Sequence, residues 1–141
     1  MTEREKTQPI QPATWEDFDE AMDYLAKKIW EEEKKRKKRF IGIHGIKRGG
    51  YCPAVALSHR LGIPMTDIFF QPDIILVDDI SDKGKTMNFH MKNNPYKDSV
   101  LTATWLKRVG TEFKPDVCFG EIKSNAWIEF PWETWHNKEA K

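Results

Sequence analysis

No apolar stretch in this 141-residue chain approaches the roughly 20 residues that a membrane-spanning helix requires, so no membrane partner is expected. Nor does one sign of charge dominate. Lys and Arg total 23 against 22 Asp and Glu, a net charge of +1, which argues against a global field for nucleic acid or anionic lipid. Cysteine is scarce: Cys52 and Cys118 have neither metal-ligand spacing nor a disulfide-framework pattern, and reduced, mostly buried thiols are expected. Internal repeats and low-complexity linkers are also missing. One compact domain with a single core fits this length. The first twelve residues, Met1 to Pro12, are polar, contain two prolines and lack the apolar core of a signal peptide, so they read as a mobile tail ahead of a domain over 13–141, and a cytoplasmic location is expected.

What is present is an alternation of apolar runs and amphipathic segments. Thr14 to Arg39 reads as a long helix, with Thr14 as N-cap, Glu16 and Asp17 in the first turn, and a stripe of Phe18, Met22, Leu25, Ala26 and Ile29 at helical spacing. Its basic end, Lys34 to Arg39, suits the helix dipole and lacks the interleaved aromatics of an RNA-binding surface, so it reads as a solvated helix end. Strands are expected over 40–44, 66–70, 74–77, 99–106 and 117–119, and helices over 53–61 and from 86 to 91. Such alternation predicts βαβ units and an α/β fold with a central, mostly parallel sheet flanked by helices.

The most informative stretch runs from Asp73 to Thr86. Ile74 to Val77 form a continuous apolar run, the pattern of a central parallel strand covered on both faces. Asp78 and Asp79 follow at the carboxyl edge of the sheet, where open α/β sheets bind ligands, and both are expected beyond the buried part of the strand. Asp82 to Thr86 then supply glycine, a hydroxyl and backbone amides leading into a helix, which is an anion site. Carboxylates for sugar hydroxyls or a metal, followed by an amide cradle for phosphate, suggest a ribose phosphate ligand. A nucleotide-binding P-loop does not fit, because the glycine it needs five residues before Gly84 is replaced by Asp79.

This stretch resembles the phosphoribosyl pyrophosphate (PRPP) signature of the type I phosphoribosyltransferases, departing at Lys83, where that family usually has threonine. Two further segments bring the resemblance closer to the 6-oxopurine (xanthine-guanine) enzymes. One is Gly42 to Gly50, which contains Lys47-Arg48-Gly49-Gly50 and continues to Pro53-Ala54 and Leu61 to Pro64. The other is Trp127 to Glu133. The similarity extends from about Thr14 to Glu133, with the motifs in the family's order.

The resemblance implies Mg²⁺-dependent transfer of phosphoribose from PRPP to guanine, xanthine or hypoxanthine, in a homodimer. It gives Asp78 and Asp79 to the ribose hydroxyls and the metal. Asp82, Lys83, Gly84, Lys85 and Thr86 fall to the 5′-phosphate, and Lys47, Arg48 and Gly49 to pyrophosphate, with a cis Lys47-Arg48 peptide. Asp82 matches the family's proton acceptor near purine N7, although as a residue it could equally be a plain helix N-cap. Lys107 matches the lysine that binds the 6-oxo group, Trp127 would stack on the purine, and Ile128 would offer backbone contacts. Trp15, Trp30 and Trp105 read as packing, while Trp132, Glu129 and Glu133 fit either pocket or packing. The family's long lid between its second and third core strands has no counterpart, since only Gln71-Pro72-Asp73 separates the two apolar runs. That shortened lid keeps a second reading open, a non-catalytic PRPP- or nucleotide-binding regulator on the same fold.

Overall fold

The computed structural model describes residues 10–123 and 126–133. Its centre is a four-stranded parallel sheet in the spatial order β2 (Gly42–Gly45), β3 (Ile74–Ser81), β4 (Leu101–Arg108) and β5 (Val117–Ile122). Side chains alternate across β3 and so reach two separate cores. Ile75 and Val77 join Leu101, Ala103 and Trp105 beneath α1 (Trp15–Arg36) and α2 (Tyr51–Leu61). Ile74 and Leu76 point the other way, to Met87 of α3 (Lys85–Met91) and Val100. Burial on both faces is why the strand reads as an unbroken apolar run.

Thr14 caps α1 as expected. Its hydroxyl accepts from the Asp17 amide at 3.0 Å, and the Asp17 carboxylate accepts from the Thr14 amide at 2.9 Å, a reciprocal capping box. The helix stops at Arg36, three residues short of the expected end, because Lys37 turns left-handed (φ 56°) and buried Glu33 accepts the Phe40 amide at 2.8 Å, folding the chain back towards β2. Gly62, also left-handed, ends α2.

Three further element assignments are corrected. Residues 66–70 do not form a strand: only Met65 bridges to Ile43, after which the Thr66 hydroxyl accepts from the Ile68 amide and from Gln71 Nε2, curling the chain into a turn. The strand expected over 99–106 begins at Leu101, since Ser99 is engaged in a turn with Tyr96 and in accepting the Asp73 amide. Finally, Ile10–Pro12, assigned by sequence to a tail, is strand β1, paired in parallel with β6 (Trp127–Glu129). Residues 1–9 of that expected tail lie outside the described residues.

Both cysteines are free and partly buried. Trp105 is core, and Trp132 stacks on Phe130 at 5.1 Å while touching Trp15 and Trp105, which makes it a packing residue. Trp30 is not: it is exposed, with the Lys34 ammonium over its ring. No helix among the described residues is long and apolar enough to cross a membrane.

Candidate functional site

The carboxyl ends of β2, β3 and β4 converge. β3 runs four residues past the apolar core, through Asp78 and Asp79 to Ser81, with Asp78 opposite Thr104 and Ser81 opposite Lys107. Asp78 is therefore buried, in contrast to the sequence expectation, and Asp79 is half-buried. Burial, reinforced by the neighbouring Asp79 charge, pushes the Asp78 carboxyl up to about 8. Asp79 is raised as well, again chiefly by burial. Among the described residues no Lys or Arg pairs with either carboxyl, so neither has a fixed counter-cation among them.

The loop after β2 lies over this pair. The Ile46 amide bonds the Val77 carbonyl at 2.9 Å and the Gly50 amide bonds the Ile46 carbonyl at 2.8 Å, which brings Gly49 onto the Asp79 carboxylate. A side chain at either glycine has no room: a Cβ on Gly49 would overlap Asp79 Oδ2, and one on Gly50 would overlap the Val77 carbonyl. The Lys47-Arg48 peptide is cis.

Beyond β3, a cavity of about 300 Å³ is lined by Asp78 and the loop from Ile80 to Met87, bringing together the expected phosphate residues Asp82, Lys83, Gly84, Lys85 and Thr86. This loop is braced by the β4–β5 connection, a contact that sequence reasoning missed. Ser81 Oγ donates to the Phe113 carbonyl at 2.8 Å, the Glu112 amide donates to the Lys83 carbonyl at 3.1 Å, and a Cβ on Gly84 (φ 90°) would stand 2.5 Å from the Phe113 nitrogen. Gly84, not Asp82, is the N-cap of α3.

Asp82 instead pairs with Arg108, whose Nε donates to Oδ1 at 2.5 Å. The same guanidinium, through Nη1, donates to the Lys123 and Ala126 carbonyls at 2.8 and 2.7 Å. Arg108 was also missed in the sequence, although a second cation directly after Lys107 at the end of a strand was a signal that a carboxylate stood within reach. Through it, the Lys107 end of β4 is tied to the segment delivering Trp127 and Ile128, both half-buried on β6.

Glu133, ambiguous by sequence, is an exposed residue just after β6. Partial burial raises its carboxyl, and the Asp79 and Glu129 charges add to the effect while Arg48 opposes it. It also closes the turn Pro131–Glu133 by accepting the Phe130 amide at 2.8 Å.

No family model matches the chain. The xanthine-guanine phosphoribosyltransferase of Idiomarina loihiensis is 26% identical over 144 residues, covering 85% of this chain and 84% of that protein. Among solved structures, the purine phosphoribosyltransferase of Pyrococcus horikoshii superposes with a TM-score of 0.74 at 28% identity, covering 88% of this chain and 94% of that one. The chain has the type I phosphoribosyltransferase fold and is a homologue of purine phosphoribosyltransferases. A xanthine-guanine-hypoxanthine enzyme from Helicobacter pylori shares the fold, with a TM-score of 0.74 at 18% identity over 94% of this chain and 99% of that one. These homologues are pentosyl transferases, in line with the motifs quoted above.

Proposed function

We propose that this protein transfers the 5-phosphoribosyl group of PRPP to a 6-oxopurine, giving a nucleoside 5′-monophosphate and pyrophosphate in purine salvage. Purine phosphoribosyl transfer is the activity its homologues support. The observation that carries the finer reading is the adjacent carboxyls of Asp78 and Asp79 at the end of β3, with buried Asp78 lining the cavity formed by Ile80 to Met87 and no Lys or Arg among the described residues paired with either.

In this reading Asp78 and Asp79 hold the ribose hydroxyls and favour positive charge developing at the anomeric carbon. The bond from that carbon to the pyrophosphate oxygen breaks with its electron pair, and a purine ring nitrogen forms the new bond. The proton lost by the purine passes towards Asp82. The loop from Asp82 to Thr86 takes the 5′-phosphate, with Lys83 adding an ammonium in place of the family's hydroxyl. Lys47, Arg48 and Gly49 take pyrophosphate. Lys107 binds the 6-oxo group, which disfavours adenine, and Trp127 and Ile128 form the purine platform.

The residues fit Mg²⁺. Two carboxylates and substrate phosphate oxygens are the hard donors it prefers, and no group of three or more His, Cys, Asp or Glu among the described residues could hold a metal by itself. The ion would therefore arrive with PRPP, held through Asp78 and Asp79, and would supply charge neutralisation of the leaving pyrophosphate. A single domain, a cytoplasmic homodimer and no nucleic-acid or membrane partner complete the reading.

The test is incubation of purified protein with PRPP, Mg²⁺ and each of guanine, xanthine, hypoxanthine and adenine, followed by chromatographic resolution of the nucleotides. Formation of 6-oxopurine nucleotides without adenylate is expected. PRPP binding without any nucleotide would favour the non-catalytic regulator.

A further inference from the structure

Arg108 lies where two parts of the site meet. Its side chain is only 9% exposed, and a buried guanidinium is tolerated only when its donors are met and its charge is paired. The Asp82 carboxylate pairs the charge and accepts from Nε on one side, and the Lys123 and Ala126 carbonyls accept from Nη1 on the other, so three of its five N–H groups are engaged. Asp82 belongs to the cavity lining, and its side chain is 37% exposed. Ala126 is buried immediately before Trp127. A planar guanidinium fork holds its acceptors in fixed mutual directions, which a lysine ammonium cannot do.

We propose that Arg108 is a positioning residue that sets the Asp82 carboxylate and the backbone at Ala126, immediately before Trp127 of β6, in one fixed arrangement, so that purine capture and proton acceptance are geometrically coupled. The inference rests on the proposed transfer to a purine. Placement gives a charged residue a role at a buried strand end, where an apolar side chain would pack at lower cost. It also separates the roles of neighbouring residues: Lys107 reads the base, while Arg108 aligns what surrounds it.

The experiment compares the wild type with Asp82→Asn, Arg108→Met, the double variant and Arg108→Lys, using kcat, KM for guanine and for PRPP, and calorimetric affinity for guanosine monophosphate. Arg108→Met should lower kcat about tenfold or more in the wild-type background but less than about twofold in Asp82→Asn, as expected for groups acting through one another. The guanine KM should rise about tenfold while the PRPP KM stays within about twofold. Arg108→Lys restores the ion pair alone, so kcat should recover while the guanine KM stays high. Equal losses in both backgrounds, or guanine and PRPP KM values rising together, overturn the proposal. Should Arg108→Met fail to fold, the kcat and KM split in Arg108→Lys decides.

Absence of turnover in the wild type would defeat the transfer reading instead. The same cycle is then read in guanosine monophosphate affinity, where a coupling of about tenfold sustains the positioning role, and additive losses or no binding overturn it.

Discussion

Gly49 lies against the Asp79 carboxylate so closely that a Cβ at this position would overlap Oδ2 and stand 2.8 Å from Oδ1. The loop proposed to take pyrophosphate and the Asp79 carboxylate proposed to hold the ribose are thus one packed unit. Gly49→Ala must push the Asp79 carboxylate aside, because the loop itself is pinned by the Ile46 and Gly50 amides. Misplacing a substrate-orienting group by about 1 Å can cost on the order of 100-fold in rate, and a loss of that size in kcat/KM for PRPP is expected. Steady-state kinetics checks it, and a fully active Gly49→Ala would show that this contact is unimportant.

Burial of Asp78 carries a pH signature. With its carboxyl at about 8 in the folded protein and about 4 when unfolded, the native state binds the extra proton between those values. Stability from this group is full below pH 4 and is lost as pH rises towards 8. Asp78→Asn should therefore match the wild-type Tm near pH 4 and exceed it at pH 8, by on the order of ten degrees if the whole shift is expressed, while losing Mg²⁺-dependent PRPP binding. Thermal unfolding across pH and calorimetry with PRPP measure the two effects. A Tm difference independent of pH would contradict the assignment of the buried charge.

In the proposed function, base recognition is divided between two strands of different sheets. Lys107 on β4 is proposed to bind the 6-oxo group, so Lys107→Ala should lower kcat/KM for guanine by about 10- to 100-fold, the scale of a lost charged hydrogen bond, and leave the PRPP KM little changed. Trp127→Ala, on β6, should weaken all purines alike by the stacking contribution of about 1–3 kcal/mol. Competition kinetics among guanine, hypoxanthine and adenine separates the two. An unaltered preference in Lys107→Ala would remove it from base selection.

The sheet core was legible because its residues obey local rules: the Ile74 to Val77 run, the Thr14 cap and the Gly62 stop each dictate one structure. The cavity loop was legible because it is one contiguous string from Asp78 to Thr86. What escaped depends on contacts distant in sequence. Arg108 reaches Asp82 across 26 positions, Ser81 meets Phe113 across 32, and β1 finds β6 from the other end of the chain. Residues 66–70 look like a strand by composition, but the Thr66 and Gln71 side chains turn them away from the sheet beyond Met65. Asp78 reads as a loop carboxylate, and only its pairing opposite Thr104 shows that it is buried.

The sequence suggests a lid cut to the three residues 71–73, but with no strand over 66–70 the connection from α2 to β3 runs through residues 62–73. Exclusion of water from the reacting carbon, which closure ordinarily provides, is the sharpest point of the account. Simultaneous quantification of nucleoside monophosphate, pyrophosphate and ribose 5-phosphate from PRPP, Mg²⁺ and guanine tests both transfer and its protection. The account predicts nucleotide formation matched by pyrophosphate, with additional pyrophosphate accompanied by ribose 5-phosphate from water attack. Consumption of PRPP to ribose 5-phosphate with no nucleotide, or no consumption at all, would contradict it.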